Sequence, residues 1–258
     1  DLLDACLPSV LGQSTATDIL VVDNGSTDGT VEHLAANYPG VRVLALPENT
    51  GFAGGVAAAL DEVQTELVAL LNNDAVAEPE WLAASLAVLD EHPDVAAVSA
   101  RMLLADTDRR TVNNAGVRLT ARVYGADRGL GDADRPAYDE PMEIFGASGG
   151  AAVYRTLAVK AVGGIDPSYF LYYEDTDLSW RLRLAGWRIR YAPQAVVRHG
   201  HGISSDPHSR SFHLYNERNR LITVARHAPF GVALDVFARF LLDTAILARR
   251  RARHAAPP

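Results

Sequence analysis

A single cysteine, Cys6, is all the chain has, so no internal disulfide can form and the scarcity points to a reducing compartment. Basic residues are not in excess. There are 24 Lys and Arg against 32 Asp and Glu, a formal net charge of −8, which argues against a broad nucleic-acid-binding face. No uninterrupted apolar run reaches the ~20 residues that a membrane helix needs. The opening Asp-Leu-Leu-Asp has neither a basic start nor an apolar run, so no signal peptide is read there. Internal repeats and low-complexity tracts are also missing. What is present is 258 residues at 48% hydrophobic composition, enough for one large core or one domain with an appended element.

Along the chain, helix and strand patterns alternate. Leu2, Leu3, Cys6, Leu7, Val10 and Leu11 make one apolar helix face, stopped by Gly12. Residues 18–23 read as a buried strand, 24–30 (NGSTDGT) as a turn, 31–37 as a helix and 41–46 as a strand. A Gly-rich turn over 49–55 leads into a helix over 56–64. A strand over 67–71, a helix over 81–91 and a strand over 95–100 follow. This alternation predicts an α/β fold with a parallel sheet. Ligands of such sheets bind at the carboxyl ends of the strands. That puts Asp23 and Asn24, Asn49 to Gly51, and Asn72, Asn73 and Asp74 on one rim.

From 105 to 141 the pattern fades into polar loops and short strands. Residues 145–154 (FGASGGAAVY) read as an apolar strand broken by three glycines, and 163–167 as a loop. The stretch 170–181 (FLYYEDTDLSWR) follows, where Leu178, Leu182 and Ala185 keep helix spacing and Gly186 ends it. Glu174 and Asp175 therefore sit at the positive end of a helix dipole. A carboxylate there, beside aromatic rings that limit water, can serve as a general base. The plainer reading is that Asp175 only caps the helix. Residues 188–197 read as a strand leading to His199-Gly-His-Gly. Residues 230–247 read as an amphipathic helix with Asp235, Arg239 and Asp243 in one polar stripe, followed by Arg249, Arg250, Arg251 and Arg253. It is either a docked helix with a solvated tail or a membrane-surface contact with its arginines facing anionic lipid.

Each polar cluster has a chemical reading and a bland one. Asp23 and Asn24 could bond the imide edge of uracil or thymine, or form an Asx-turn. Asp74, with a diphosphate and a second ligand, suits Mg²⁺ or Mn²⁺, or it helps start the next helix. His199 or His201 could complete a metal shell, though a histidine is as readily structural. Arg218 in Tyr215-Asn-Glu-Arg-Asn-Arg220 could clamp phosphate, or face solvent on a helix.

In order, VVDNGSTDGT, ENTGFAGG, LLNNDA, FGASGGAAVYR, GGIDPSYFLYYEDTDLSWRLRLAGW, H-x-x-G-x-S and ERNR resemble glycosyltransferase family 2. The closest likeness is to its bacterial rhamnosyltransferase and galactofuranosyltransferase branch. The resemblance runs from the first helix to about Arg226. It implies a GT-A fold, a Rossmann-like, mostly parallel sheet with flanking helices, in a domain over 1–226. The amphipathic helix and basic tail over 227–258 are appended to it.

The implied activity is inverting transfer from a nucleotide-diphosphate sugar, dTDP-rhamnose or a UDP-sugar, to a glycan or polyprenyl-linked acceptor. It implies Asp175 as catalytic base with Glu174 orienting it or the acceptor. Asp23, Asn24, Asn49, Gly51, Asn73 and Arg218 would bind the donor. Ser148, Gly149, Gly150 and Tyr173 would shape the acceptor side. Asp74 and His199 would hold Mg²⁺ or Mn²⁺, with Gly202 and Ser204 in register after His199. The site would be cytoplasmic, peripheral at the inner face of the plasma membrane.

The chain departs from the family in three ways. The family's opening strand, ahead of the first helix, is not in this sequence, so its nucleobase contacts are expected to be missing. Ala57 stands where the family often has an asparagine. The metal motif carries one carboxylate, Asp74, rather than two. Two other classes compete. A nucleotidyltransferase would want a basic phosphate loop near the start, but NGSTDGT has no Lys or Arg. A binding-only domain would bind nucleotide without turnover.

Overall fold

A computed structural model describes residues 2–105, 110–200 and 209–255, with side chains as far as Arg249. The first half contains α1 (Leu2–Leu11), β1 (Leu20–Asp23), α2 (Thr30–Asn37), β2 (Arg42–Ala45), α3 (Gly51–Glu62), β3 (Leu67–Leu71), β4 (Ala75–Ala77), α4 (Trp81–Glu91) and β5 (Val95–Leu104). Three short strands follow, β6 (Val112–Asn114), β7 (Val117–Leu119) and β8 (Gly125–Asp127), then β9 (Met142–Glu143). The rest is β10 (Ala151–Arg155), α5 (Thr156–Ala161), α6 (Glu174–Leu184), β11 (Arg188–His199), α7 (Arg210–His227) and α8 (Phe230–Ala255).

The main sheet runs β3-β10-β5-β11-β4, with β6 on β5 and β9 on β11. Strands β3, β5 and β11 point the same way; β10, between β3 and β5, runs against both. A strand that arrives from loops and hairpins, with no crossover helix before it, is free to return antiparallel. A separate parallel pair joins β1 to β2. Among the described residues neither β1 nor β3 has a strand on its other side. Their apolar residues, Leu20 to Val22 and Leu67 to Leu71, are only partly buried or exposed.

Strand β5 is buried from Val95 to Leu103, as expected of a strand covered on both faces. Successive residues feed opposite layers. Ala97, Tyr154 and Tyr191 pack under α6 with Leu178 and Leu182, while Val98, Val153 and Ala192 pack with Trp81 and Leu89 of α4. Full burial of Leu178 and Leu182 contributes roughly 1.5–3 kcal/mol each and anchors the helix that carries the acidic pair.

Two local expectations fail, and two short elements were not expected. Helix α3 starts at Gly51, not at 56, because Gly54 and Gly55 are helical and allow close packing. A Cβ on Gly54 would lie 2.5 Å from Thr50 Cβ. The strand is Ala151–Arg155, not 145–154; 145–150 is a loop at the carboxyl end of β3, where Ala151 pairs with Leu71. The short elements β4 and α5 have too little periodicity to be read from sequence.

Helix α8 lies on α7 with Val236 buried, and its Arg239 pairs with Asp235 at 2.8 Å. Phe230, Leu234 and Leu241 are exposed on it. No described helix is long and apolar enough to cross a membrane. The side chains of Arg250, Arg251 and Arg253 lie outside the described residues.

Candidate active site

Glu174 and Asp175 form the first turn of α6. The N-cap is Tyr173, in the left-handed conformation with φ 72°, and no side chain caps the helix. Asp175 is therefore not the cap of this helix. Its Oδ1 accepts from the Thr176 N–H at 2.5 Å and the Thr176 hydroxyl at 3.1 Å, and its Oδ2 accepts from the Gly149 N–H at 3.1 Å. Burial nevertheless raises its pKa above the usual carboxylate range, and the charge of Asp127 adds to this. Glu174 is buried deeper, and its Oε2 has no hydrogen-bond donor. Burial, and next the charge of Asp175, pushes its pKa up to about 8. At neutral pH Glu174 therefore holds a proton.

The approach to this pair is strained. Phe170, Tyr172 and Tyr173 have φ of 64°, 68° and 72°. Such conformations cost on the order of 1–3 kcal/mol each in bulky residues and cluster at functional sites.

The loop carrying Ser148, Gly149 and Gly150 joins Asp175 to a second polar group. The Gly150 carbonyl accepts from Asn72 N–H at 3.0 Å, and the Ser148 hydroxyl accepts from Gly150 N–H at 3.3 Å. A Cβ on Gly150 would stand 2.9 Å from Met102 Cε, so the end of the Met102 side chain would have to shift. Beyond Asn72, Asp74 Oδ1 lies 3.0 Å from His199 Nε2, with Asn72 Nδ2 3.2 Å from the same nitrogen. His199 Nδ1 is 3.0 Å from Asn113 Oδ1. Assigned from this network, Nδ1–H donates to Asn113, and Nε2 turns its lone pair toward Asp74. The 3.0 Å separation is that of an N–H···O bond where Nε2 carries a proton, and of two ligands on one cation where it does not. Two ligands at about 2.1 Å from one ion are about 3.0 Å apart at a right angle. The donor set therefore fits a divalent ion. Among the described residues no group of three His, Cys, Asp or Glu side chains stands together. His201, Gly202 and Ser204 lie outside the described residues, and Asn73 is exposed beside Asp74.

The donor-side residues form their own network. Asp23 is buried; Oδ2 accepts from Ser26 N–H at 3.3 Å, while Oδ1 has no donor. Asn24 spends its amide on the start of α3, accepting from Thr50 N–H and hydroxyl at 2.9 Å each and donating to the Gly51 carbonyl at 2.8 Å. Asn49 Oδ1 accepts from Gly51 N–H at 2.9 Å. Gly51 has φ 73°, and a Cβ there would strike the Phe170 carbonyl. Thus α3 lies directly on the loop before Asp175, and Ala53 N–H donates to Phe170 O at 3.0 Å.

Arg218 lies on the far side of that loop, its Nη2 donating to Ser168 O at 2.7 Å and Tyr169 O at 2.9 Å. Tyr173 is a buried wall residue whose hydroxyl accepts from Gly125 N–H at 3.0 Å. Asn113 and Asp127 had no signal in the sequence, because both come from the patternless polar stretch.

Sheet, rim and acidic helix together define a glycosyltransferase of GT-A architecture. The chain belongs to the Glycosyltransferase like family 2, whose family model matches residues 1–222. It is 31% identical over 223 residues to an N-acetylglucosaminyl-diphospho-decaprenol L-rhamnosyltransferase of Mycobacterium tuberculosis, covering 77% of this chain and 72% of that one. It is 25% identical over 189 residues to an O-antigen chain rhamnosyltransferase of Salmonella anatum, covering 73% of this chain and 58% of that one. Among solved structures, GalNAc-T7 with UDP, GalNAc and Mn²⁺ matches with a TM-score of 0.67 at 13% identity, over 87% of this chain and 45% of that one. The mannosyltransferase PcManGT of Pyrobaculum calidifontis, with GDP-Man and Mn²⁺, matches with a TM-score of 0.58 at 18% identity, over 100% of this chain and 72% of that one. At these identities the structures support the fold alone.

Proposed function

We propose that the chain is a metal-dependent inverting glycosyltransferase that moves a sugar, rhamnose or a UDP-linked sugar, onto a hydroxyl of a lipid-linked or glycan acceptor. One observation carries this reading: the Gly149-Gly150 turn is bonded to Asp175 on one side and to Asn72, next to the Asp74–His199 pair, on the other. A base and a cation site are thus held across one short segment. The acceptor and sugar classes are drawn from the names of the rhamnosyltransferase relatives.

In the transfer, Asp175 takes the proton of the acceptor hydroxyl as that oxygen attacks the anomeric carbon. The bond from this carbon to the diphosphate breaks on the opposite face, which gives inversion. The Gly149 N–H favours the ionised carboxylate and aims it, while burial makes it a stronger base; such general-base help is worth ~10²–10⁴-fold. Asp74 and His199 would hold Mg²⁺ or Mn²⁺, whose charge would offset that of the departing diphosphate. Asp23 Oδ1, an acceptor without a donor, suits the imide N–H of uracil or thymine.

The catalytic unit in this reading is 1–226. Helix α8, with its exposed apolar face and terminal arginines, contacts the cytoplasmic membrane surface. Calorimetric titration with UDP, dTDP and GDP, each with Mn²⁺ and with chelator, tests the reading. Metal-dependent binding of one pyrimidine diphosphate is expected; equal binding with chelator would remove the metal from it.

A further inference from the structure

We infer that Asn219, together with Arg218, is a positioning residue that sets the catalytic carboxylate by clamping the strained loop before it. The inference rests on Asp175 as the base. Four described non-glycine residues have positive φ, and three of them, Phe170, Tyr172 and Tyr173, lie within the five residues ahead of Asp175. Three aromatic residues do not hold that conformation unaided; their surroundings must enforce it.

The enforcement comes from α7. Asn219 is fully buried, and its Nδ2 lies 3.0, 2.9 and 2.7 Å from the carbonyl oxygens of Tyr169, Leu171 and Tyr172. Two amide hydrogens are shared among three carbonyls that would otherwise lack this donor. The other end of the amide, Oδ1, accepts from Arg218 Nε at 2.8 Å. Arg218 in turn holds the carbonyls of Ser168 and Tyr169. One rung further along α7, the Thr223 hydroxyl donates to the Asn219 carbonyl at 2.9 Å and meets the Tyr169 hydroxyl at 2.8 Å. The same helix stacks Tyr215 on Phe170 and sets Phe212 against Tyr172.

Neither side chain of similar size and shape can replace it. Aspartate would face three carbonyl oxygens with a negative charge, and leucine would fill the volume while withdrawing this donor from the Leu171 and Tyr172 carbonyls. With both ends engaged and no exposed surface, Asn219 acts through the loop rather than on substrate. The path is short: Tyr172, held by Asn219, is followed by left-handed Tyr173, then by the first turn of α6. A carboxylate displaced by about 1 Å loses up to ~10²-fold in rate.

The test is Asn219→Ala, with Arg218→Gln as the milder variant should the first not fold. For Asn219→Ala, kcat is expected to fall about 10–100-fold, with KM for donor and nucleotide affinity unchanged. The acidic limb of its pH–rate profile should move to lower pH, as a loosened Asp175 gains water. Arg218→Gln should show the same direction with a smaller change. A normal kcat and pH limb in the folded variants would overturn the inference. So would donor affinity falling in step with kcat, which would make the pair part of the donor site instead. Asp175→Asn, assayed alongside, separates the two levels: an active Asp175→Asn removes the base itself, whereas an inactive one beside a normal Asn219→Ala removes only the clamp.

Discussion

The N–H of Gly149 donates to Oδ2 of Asp175 at 3.1 Å, joining a glycine loop to a helix start 26 residues away. The bond tells the two acids apart. Asp175 has a fixed donor and faces the glycine loop, while Glu174 is buried with an oxygen that has none. Asp175→Asn keeps the size but removes the basic oxygen. Transfer should drop by at least ~10²-fold with nucleotide affinity unchanged by calorimetry. Normal turnover would assign the base elsewhere.

The wild-type pH–rate profile should carry its acidic limb above the ordinary aspartate range, because burial raises Asp175. A limb near pH 4 would mean that the carboxylate is well solvated during turnover.

Glu174 makes a stability prediction. Its pKa is about 8 in the fold against a usual 4.5. Between those values the folded chain binds a proton that the unfolded chain has released, so stability falls as pH rises from about 5 to 8. Glu174→Gln removes this penalty. Its Tm should exceed wild type at pH 8 and match it at pH 4; parallel curves would show that Glu174 is ionised in the fold.

Asp74→Ala should abolish Mn²⁺-dependent nucleotide binding. Asn113→Ala should keep the ligands but release the His199 ring, weakening Mn²⁺ affinity about 10–100-fold, read by Mn²⁺ electron paramagnetic resonance without turnover. Unchanged affinity in Asp74→Ala would place the ion elsewhere.

Leu234→Asp and Leu241→Asp, both on the exposed face of α8, should reduce sedimentation with phosphatidylglycerol vesicles while leaving binding of nucleotide intact. Equal sedimentation of wild type and variants would rule out this face as the lipid contact.

Much of the architecture was legible in the residues. Strand β3 and helix α4 have the bounds their periodicity predicts, because a buried apolar run and an amphipathic stripe are local properties. The acidic pair announced a helix start for the same reason. Local pattern misled at Gly54 and Gly55, which look like a turn but are helical, since their value lies in what packs against them.

The sequence by itself determined the α/β class, the chemistry available at each strand end and the acids that open α6. Only the tertiary structure decided how those groups are used. It seated Asn24 on the α3 turn, turned Arg218 and Asn219 onto the loop before Asp175, and brought Asn113 behind His199 from a stretch without pattern. The physical reason is that periodicity records burial along one element. A polar side chain's partner is set by contacts between elements, here up to 127 residues apart.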